Sequence, residues 1–157
     1  MNHFIFRNTT LEPLFKSHKV EFSGYDDISY INHTADIFSW FYILPYQQDN
    51  NILVDQITFF YQNIEMVYGQ IPDTKYFCVF TLFNPFSSPV KTGDLSVMNA
   101  INEFNQNIIQ FSKSRNNVKI INSSDFILNN QKVDLIDWKY YFISQMLINP
   151  KLSRSFG

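Results

Sequence analysis

The sequence predicts an α/β domain in three layers, with a five-stranded, mostly parallel sheet between helices. Three observations carry this prediction. Apolar runs of strand length alternate with stretches of helical periodicity, and strands alternating with helices join by right-handed crossovers into parallel sheets. Two of the runs are apolar at nearly every position, as strands buried on both faces are. The chain has 157 residues, 45% hydrophobic and 17% charged, which suits one core and one domain over 1–157 and argues against disorder.

The elements follow in order. His3–Arg7 (HFIFR) is a short aromatic run and reads as the first strand. Leu11–Ser17 reads as a short helix with Pro13 in its first turn, where a missing N–H costs nothing. Lys19–Phe22 alternates and reads as the second strand, ended by Gly24. Asp26–Asn32 reads as a short helix with Asp26 as N-cap. Asp36–Leu44 (DIFSWFYIL) is a doubly buried third strand stopped by Pro45. From Gln47 to Tyr68, Leu53, Ile57, Phe60, Ile64 and Val67 recur at helical spacing, and Gly69 and Pro72 mark the exit. Lys75–Phe83 (KYFCVFTLF) is the fourth strand. A loop over Asn84–Met98, a helix over Asn99–Lys113 and a fifth strand over Val118–Ile121 follow. A last helix is expected from Asp137 to Leu147.

Composition removes several function classes. The net charge is −2 and no basic run exists, which excludes a general nucleic-acid binder. The four glycines, Gly24, Gly69, Gly93 and Gly157, are too far apart for a dinucleotide or Walker-type phosphate loop. One cysteine, Cys78, excludes an intrachain disulfide framework. The N-terminus lacks the apolar run of a signal peptide, and Phe38–Pro45 falls far short of the roughly 20 residues that cross a bilayer, so a soluble cytoplasmic protein with no membrane partner is expected. The histidines are too scattered for a zinc site, so neither metal nor cofactor is expected. Asparagine is frequent, at 17 residues; with so much Phe, Ile and Tyr this reads as the mark of an AT-rich genome and not as chemistry.

Ligand sites in parallel sheets lie outside the carboxyl ends of the strands. That rule selects Asn8, Thr9 and Thr10 after strand one, Ser23 and Gly24 after strand two, Asn84 after strand four and Asp125 after strand five. The segment Pro45–Asn51 follows strand three.

At these loops the chain resembles a family. Arg7-Asn8-Thr9-Thr10-Leu11-Glu12-Pro13-Leu14 is similar to the opening of the N-terminal domain of FkbH-type proteins. Phe22-Ser23-Gly24-Tyr25-Asp26-Asp27-Ile28 resembles that family's second-strand exit, and the run from Trp138 to Pro150 its closing helix and turn. The resemblance implies an SGNH-hydrolase-like α/β/α domain with flavodoxin-like strand order. In the family such a domain precedes a haloacid-dehalogenase-like domain, whose Asp-x-Asp-x-Thr motif serves transfer of a glyceryl group to a carrier protein. Related proteins belong to polyketide and surface-polysaccharide biosynthesis. No Asp-x-Asp-x-Thr is present here, and the chain ends at Gly157, about where the second domain would begin. An excised domain and a stand-alone version both fit, and the glyceryl chemistry is not assigned to this chain.

The resemblance also sets a catalytic template: a Ser nucleophile after strand one, oxyanion donors from Gly and Asn, and an Asp-x-x-His pair near the C-terminus. The nucleophile slot falls on Thr9 or Thr10, without a Gly-Asp-Ser context; capping the following helix is the commoner role for such residues and the favoured reading. Gly24 takes the oxyanion position by order, or serves as a turn glycine. Asn84 is the loop donor left for the missing Asn block. The base is missing. His3, His18 and His33 all lie in the first 33 residues, on segments that return to the amino edge, and no His accompanies Asp125, Asp134 and Asp137. Loss of the base removes most of a triad's rate. Cys78, mid-strand, reads as an inert small hydrophobe, and Trp138 with Tyr140, Tyr141 and Phe142 as either core or a contact face.

Two functions from different classes result. The first is an accessory domain with a degenerate site that docks a carrier protein or a haloacid-dehalogenase-like domain. The second is an esterase or acyltransferase that uses Thr9 or Thr10 with an Asp as base. A structural subunit with the helix over 47–68 as an interface is a third, plainer reading.

Overall fold

A computed structural model describes residues 2–10, 20–86, 95–123 and 125 of the chain. The expected helices over 11–17 and 137–147 and the aromatic run at 138–142 lie outside the described residues.

The elements are β1 (His3–Arg7), β2 (Val20–Tyr25), β3 (Ile37–Phe41), α1 (Asn50–Tyr68), β4 (Tyr76–Phe80), α2 (Ser96–Lys113) and β5 (Val118–Ile121). The five strands form one sheet in the order β2-β1-β3-β4-β5. Every pairing is parallel. Phe4 pairs with Phe38, Phe38 with Phe77 and Phe77 with Val118, so one row of apolar side chains runs across four strands.

Side chains alternate between faces along each strand. Phe4, Phe6, Phe38, Trp40, Phe77, Val79 and Val118 belong to one core cluster with α1 and α2. Helix α1 contributes Leu53, Ile57, Phe60, Ile64 and Val67, the stripe its periodicity predicts, and α2 contributes Phe104, Ile108 and Phe111. Trp40 sits at the centre, stacked on Tyr42 at 4.2 Å and edge-on to Phe60 at 5.6 Å. Fully burying an aromatic or aliphatic side chain of this size is worth about 1.5–3 kcal/mol, so this row anchors the fold. Ile5, Ser39, Phe41 and Phe80 belong to the alternate positions and are buried as well, so the sheet is covered on both faces.

Several boundaries differ from expectation, each for a local reason. α1 starts at Asn50 because Asp49, in extended backbone, accepts the N–H groups of Asn51 and Ile52. The third strand ends at Phe41 and the fourth at Phe80, although the apolar runs continue. Beyond those points side chains replace strand partners: Asn8 holds Ile43, and Asn105 holds Leu82 through bonds of 2.9 and 3.0 Å. The loop expected over 84–98 gives way to α2 at Ser96.

The helix expected over Asp26–Asn32 does not form. Asp26 takes a left-handed φ of 58° and donates its N–H to the Arg7 carbonyl at 2.9 Å. Asp27 turns its carboxylate onto the Ser29 N–H at 2.8 Å and the Ser29 hydroxyl at 2.5 Å. Both acids thus satisfy the backbone locally in a turn, the competition that makes Asp a poor interior helix residue. Gly24 does not end the second strand either; it lies within β2. Ile5 pairs with Phe22 and Arg7 with Tyr25, which leaves one extra residue on β2, a bulge at Ser23–Gly24.

Candidate functional site

In the strand order, β1 stands between β2 and β3, so the chain reverses direction across the sheet at the β1/β3 boundary. A crevice outside the carboxyl ends at such a reversal is the usual ligand position. Here Asn8 fills it. Its Nδ2 donates to the Ile43 carbonyl at 2.7 Å, and its Oδ1 accepts the Ile43 N–H at 2.9 Å. The amide acts as one more rung of the β1–β3 ladder.

On the outer side, the bulge in β2 aligns two aromatic rings. Strict alternation places residues 22 and 25 on opposite faces; the extra residue returns Tyr25 to the face of Phe22. The Arg7 guanidinium lies 4.9 Å from the Phe22 ring centre and 4.8 Å from that of Tyr25. Arg7 Nε donates to the Ser23 carbonyl at 2.8 Å, and its backbone N–H donates to Ser23 Oγ at 3.1 Å. Ser23 Oγ in turn donates to the Gly24 carbonyl at 2.8 Å. Thr10 Oγ1 is hydrogen-bonded to the Tyr25 hydroxyl. Thr9 is buried. A methyl group built on Gly24 meets the Asp27 side chain at ordinary contact distance, 3.4 Å, so the position does not demand glycine for space.

On the inner side lies the Tyr42 phenol. It is buried, and its hydroxyl has no hydrogen-bond partner among the described residues. Burial pushes its pKa well above the ordinary value, and the charges of Asp26 and Asp27 add to this. Burial also pushes the Asp26 carboxyl up, whereas the Ser29 hydrogen bonds hold Asp27 down.

The sequence-selected residues therefore divide. Asn8, Thr9, Thr10, Ser23 and Gly24 gather at the ends of β1 and β2. Asn84 and Asp125 belong to the far side, beyond β3. Asn84 Oδ1 accepts the Phe86 N–H at 3.0 Å in a local turn, and the Asp125 N–H donates to Asn122 Oδ1 at 3.0 Å. There Ser123 braces Thr81 through bonds of 2.9 and 2.7 Å.

The imidazoles lie elsewhere. His3 is the first residue of β1, at the amino edge, where Nε2 meets Ser39 Oγ at 2.7 Å. His33 is exposed in the loop before β3, and His18 lies outside the described residues. Cys78 pairs with Ser39 across the β3–β4 ladder. Burial raises its thiol pKa, opposed by the Ser39 hydrogen bond and the charge of Lys119. Among the described residues no group of His, Cys, Asp and Glu is placed to hold a metal ion.

Reading the sequence alone misses Arg7, Tyr25 and Tyr42. The bulge conceals the first two, because period-2 alternation sets Tyr25 apart from Phe22. Tyr42 is hidden inside an apolar run that reads as core, which for its ring is correct.

No family model and no curated protein sequence matches the chain. A solved structure does match in fold. It is the N-terminal part of the protein BF1531 from Bacteroides fragilis, described as containing a phosphatase domain complexed with Mg. The TM-score is 0.67 at 10% identity, and the match covers 99% of this chain and 49% of that one. At that identity the likeness establishes the fold alone, an α/β domain on an all-parallel five-stranded sheet. The chain spans about half the length of that neighbour. Among the described residues, no helix is long and apolar enough to cross a membrane.

Proposed function

We propose that this chain is an accessory domain, SGNH-hydrolase-like in arrangement but with a degenerate site, serving an FkbH-type biosynthetic assembly in the cytoplasm. It docks a carrier protein or a haloacid-dehalogenase-like domain in a polyketide or surface-polysaccharide pathway. The observation that supports this best is the use of the crevice at the chain reversal. Asn8, the polar side chain that the end of β1 brings to this crevice, spends its amide on Ile43. His3 and His33 both lie toward the opposite edge. The fold likeness to half of a longer chain containing a phosphatase domain agrees with a role beside a second domain.

Mixing the purified chain with a phosphopantetheinylated carrier protein, and separately with a haloacid-dehalogenase-like phosphatase domain, tests the reading by calorimetry. Binding to one of them, with no hydrolysis of p-nitrophenyl acetate, is the expected result. Binding to neither overturns it. The other reading is an esterase or acyltransferase using Thr9 or Thr10, and the contact between Thr10 Oγ1 and the Tyr25 hydroxyl favours it. Ester turnover that is lost in Thr9→Val or Thr10→Val establishes that reading.

A further inference from the structure

At the amino edge, opposite the candidate site, the segments leading into β4 and β5 border an open cavity of about 460 Å³ with Tyr68 on its wall. That volume suits a small organic ligand. The two segments are fixed to each other. Asn117 Nδ2 donates to the Lys75 carbonyl at 3.0 Å, the Phe77 N–H donates to the Asn117 carbonyl at 2.8 Å, and Asn117 Oδ1 accepts the Tyr68 hydroxyl at 2.9 Å.

Arg115 lines this cavity and is held rigidly. Its guanidinium lies 3.9 Å from the Phe111 ring centre and 5.4 Å from that of Tyr68. Nη1 donates to the Phe111 carbonyl at 2.9 Å and to Ser114 Oγ at 3.2 Å. A guanidinium clamped on one side keeps the rest of its planar fork for an oxyanion and loses little entropy on binding it. Lys75 lines the same cavity. Its Nζ lies 3.4 Å from Asp36 Oδ1, a long, partly exposed pair of modest strength. The Tyr76 ring, 54% exposed, supplies an apolar wall. Arg115 and Lys75 face Asp73 in the lining and Asp36, the partner of Lys75, so an anion bound here takes Lys75 over from Asp36.

We propose that this cavity binds a small phosphate monoester, with the phosphate between Arg115 and Lys75 and the organic part against Tyr76. A phosphate offers separate oxygens to Arg115 and to Lys75 once Lys75 leaves Asp36, whereas a carboxylate matches the Arg115 fork alone. The site is separate from the carboxyl edge and holds whether or not the domain docks a partner.

The test is a titration of the full chain with inorganic phosphate, followed by amide chemical shifts, with acetate at matched ionic strength as the second arm. Saturable shifts at 73–76 and 114–117, with phosphate affinity on the order of millimolar and tighter than acetate, are expected. Arg115→Gln weakens phosphate binding by about tenfold or more, the effect of losing a charge-assisted contact. Lys75→Gln, which alters a half-buried side chain and its pair with Asp36, weakens it too and serves should Arg115→Gln fail to fold. No saturable shift, shifts unchanged in both variants, or acetate bound as tightly as phosphate overturns the proposal.

Discussion

Asn8→Ala removes both bonds to Ile43, 2.7 and 2.9 Å long, and leaves the backbone polar groups of a residue only 3% exposed without their partner. A net hydrogen bond is worth about 1 kcal/mol, and a buried group left unpaired costs about 1–3 kcal/mol. The loss should therefore be about 2–3 kcal/mol, or roughly 5–10 °C in Tm for a chain of this size. Urea denaturation followed by circular dichroism measures it. Asn8→Asp separates this account from a simple packing loss. The introduced carboxylate still accepts from the Ile43 N–H but turns a second oxygen toward the Ile43 carbonyl. That repulsion raises its folded pKa above the unfolded value, so the folded state binds the extra proton more tightly. Stability of Asn8→Asp should accordingly be lowest near neutrality and rise as the pH falls through the raised pKa, where the carboxylic acid restores a donor. A loss below about 1 kcal/mol in Asn8→Ala, or a pH profile for Asn8→Asp parallel to that of the parent chain, refutes the ladder role.

Four further outcomes are expected. Tyr42→Phe removes a buried hydroxyl with no partner among the described residues and should be neutral or stabilising by up to about 1 kcal/mol in the same denaturation assay; a clear loss means the hydroxyl has a partner. Hydrogen bonds from Ser29 and from the Asn2 N–H hold the Asp27 and Asp36 carboxyls, respectively, below the ordinary carboxylate value. Their stabilisation is present above that value and lost as the pH falls through the depressed ones, so a double Asp27→Asn, Asp36→Asn variant should show a flatter acid limb of stability against pH. Asp26, raised by burial, has the opposite sign: Asp26→Asn, which keeps a side chain tolerant of positive φ, should gain stability near neutrality. The raised thiol of Cys78 should react with iodoacetamide far more slowly in the folded chain than in the urea-unfolded chain at about pH 8; equal rates contradict its burial.

The legible parts of this protein are those whose signal is local. HFIFR and VKII became strands at the expected residues, and the α1 stripe of Leu53, Ile57, Phe60, Ile64 and Val67 faces the core as its spacing predicted. Run length and periodicity record burial directly. The misreadings have one cause in common: short polar residues with two local uses. Asp26 and Asp27 read as the start of a helix, yet their side chains and a left-handed φ close a turn instead. Asparagine read as a trace of genome composition. Asn8, Asn105 and Asn117 turn out to bridge backbone segments 35, 23 and 42 residues away. An amide carries a donor and an acceptor side by side, so it can stand in for a peptide group wherever two chain ends approach. No window of sequence shows which ends those are.

The sequence by itself determined the alternation of strands and helices, the apolar row through the sheet, and the placement of His3 and His33 toward the amino edge. These depend on composition and period within a dozen residues. Only the tertiary structure decided that the crevice at the chain reversal is spanned by Asn8, that a bulge brings Phe22 and Tyr25 around Arg7, and that Lys75 and Arg115 share a cavity. Each of these depends on register between strands, and one inserted residue in a strand reverses which face every following side chain occupies.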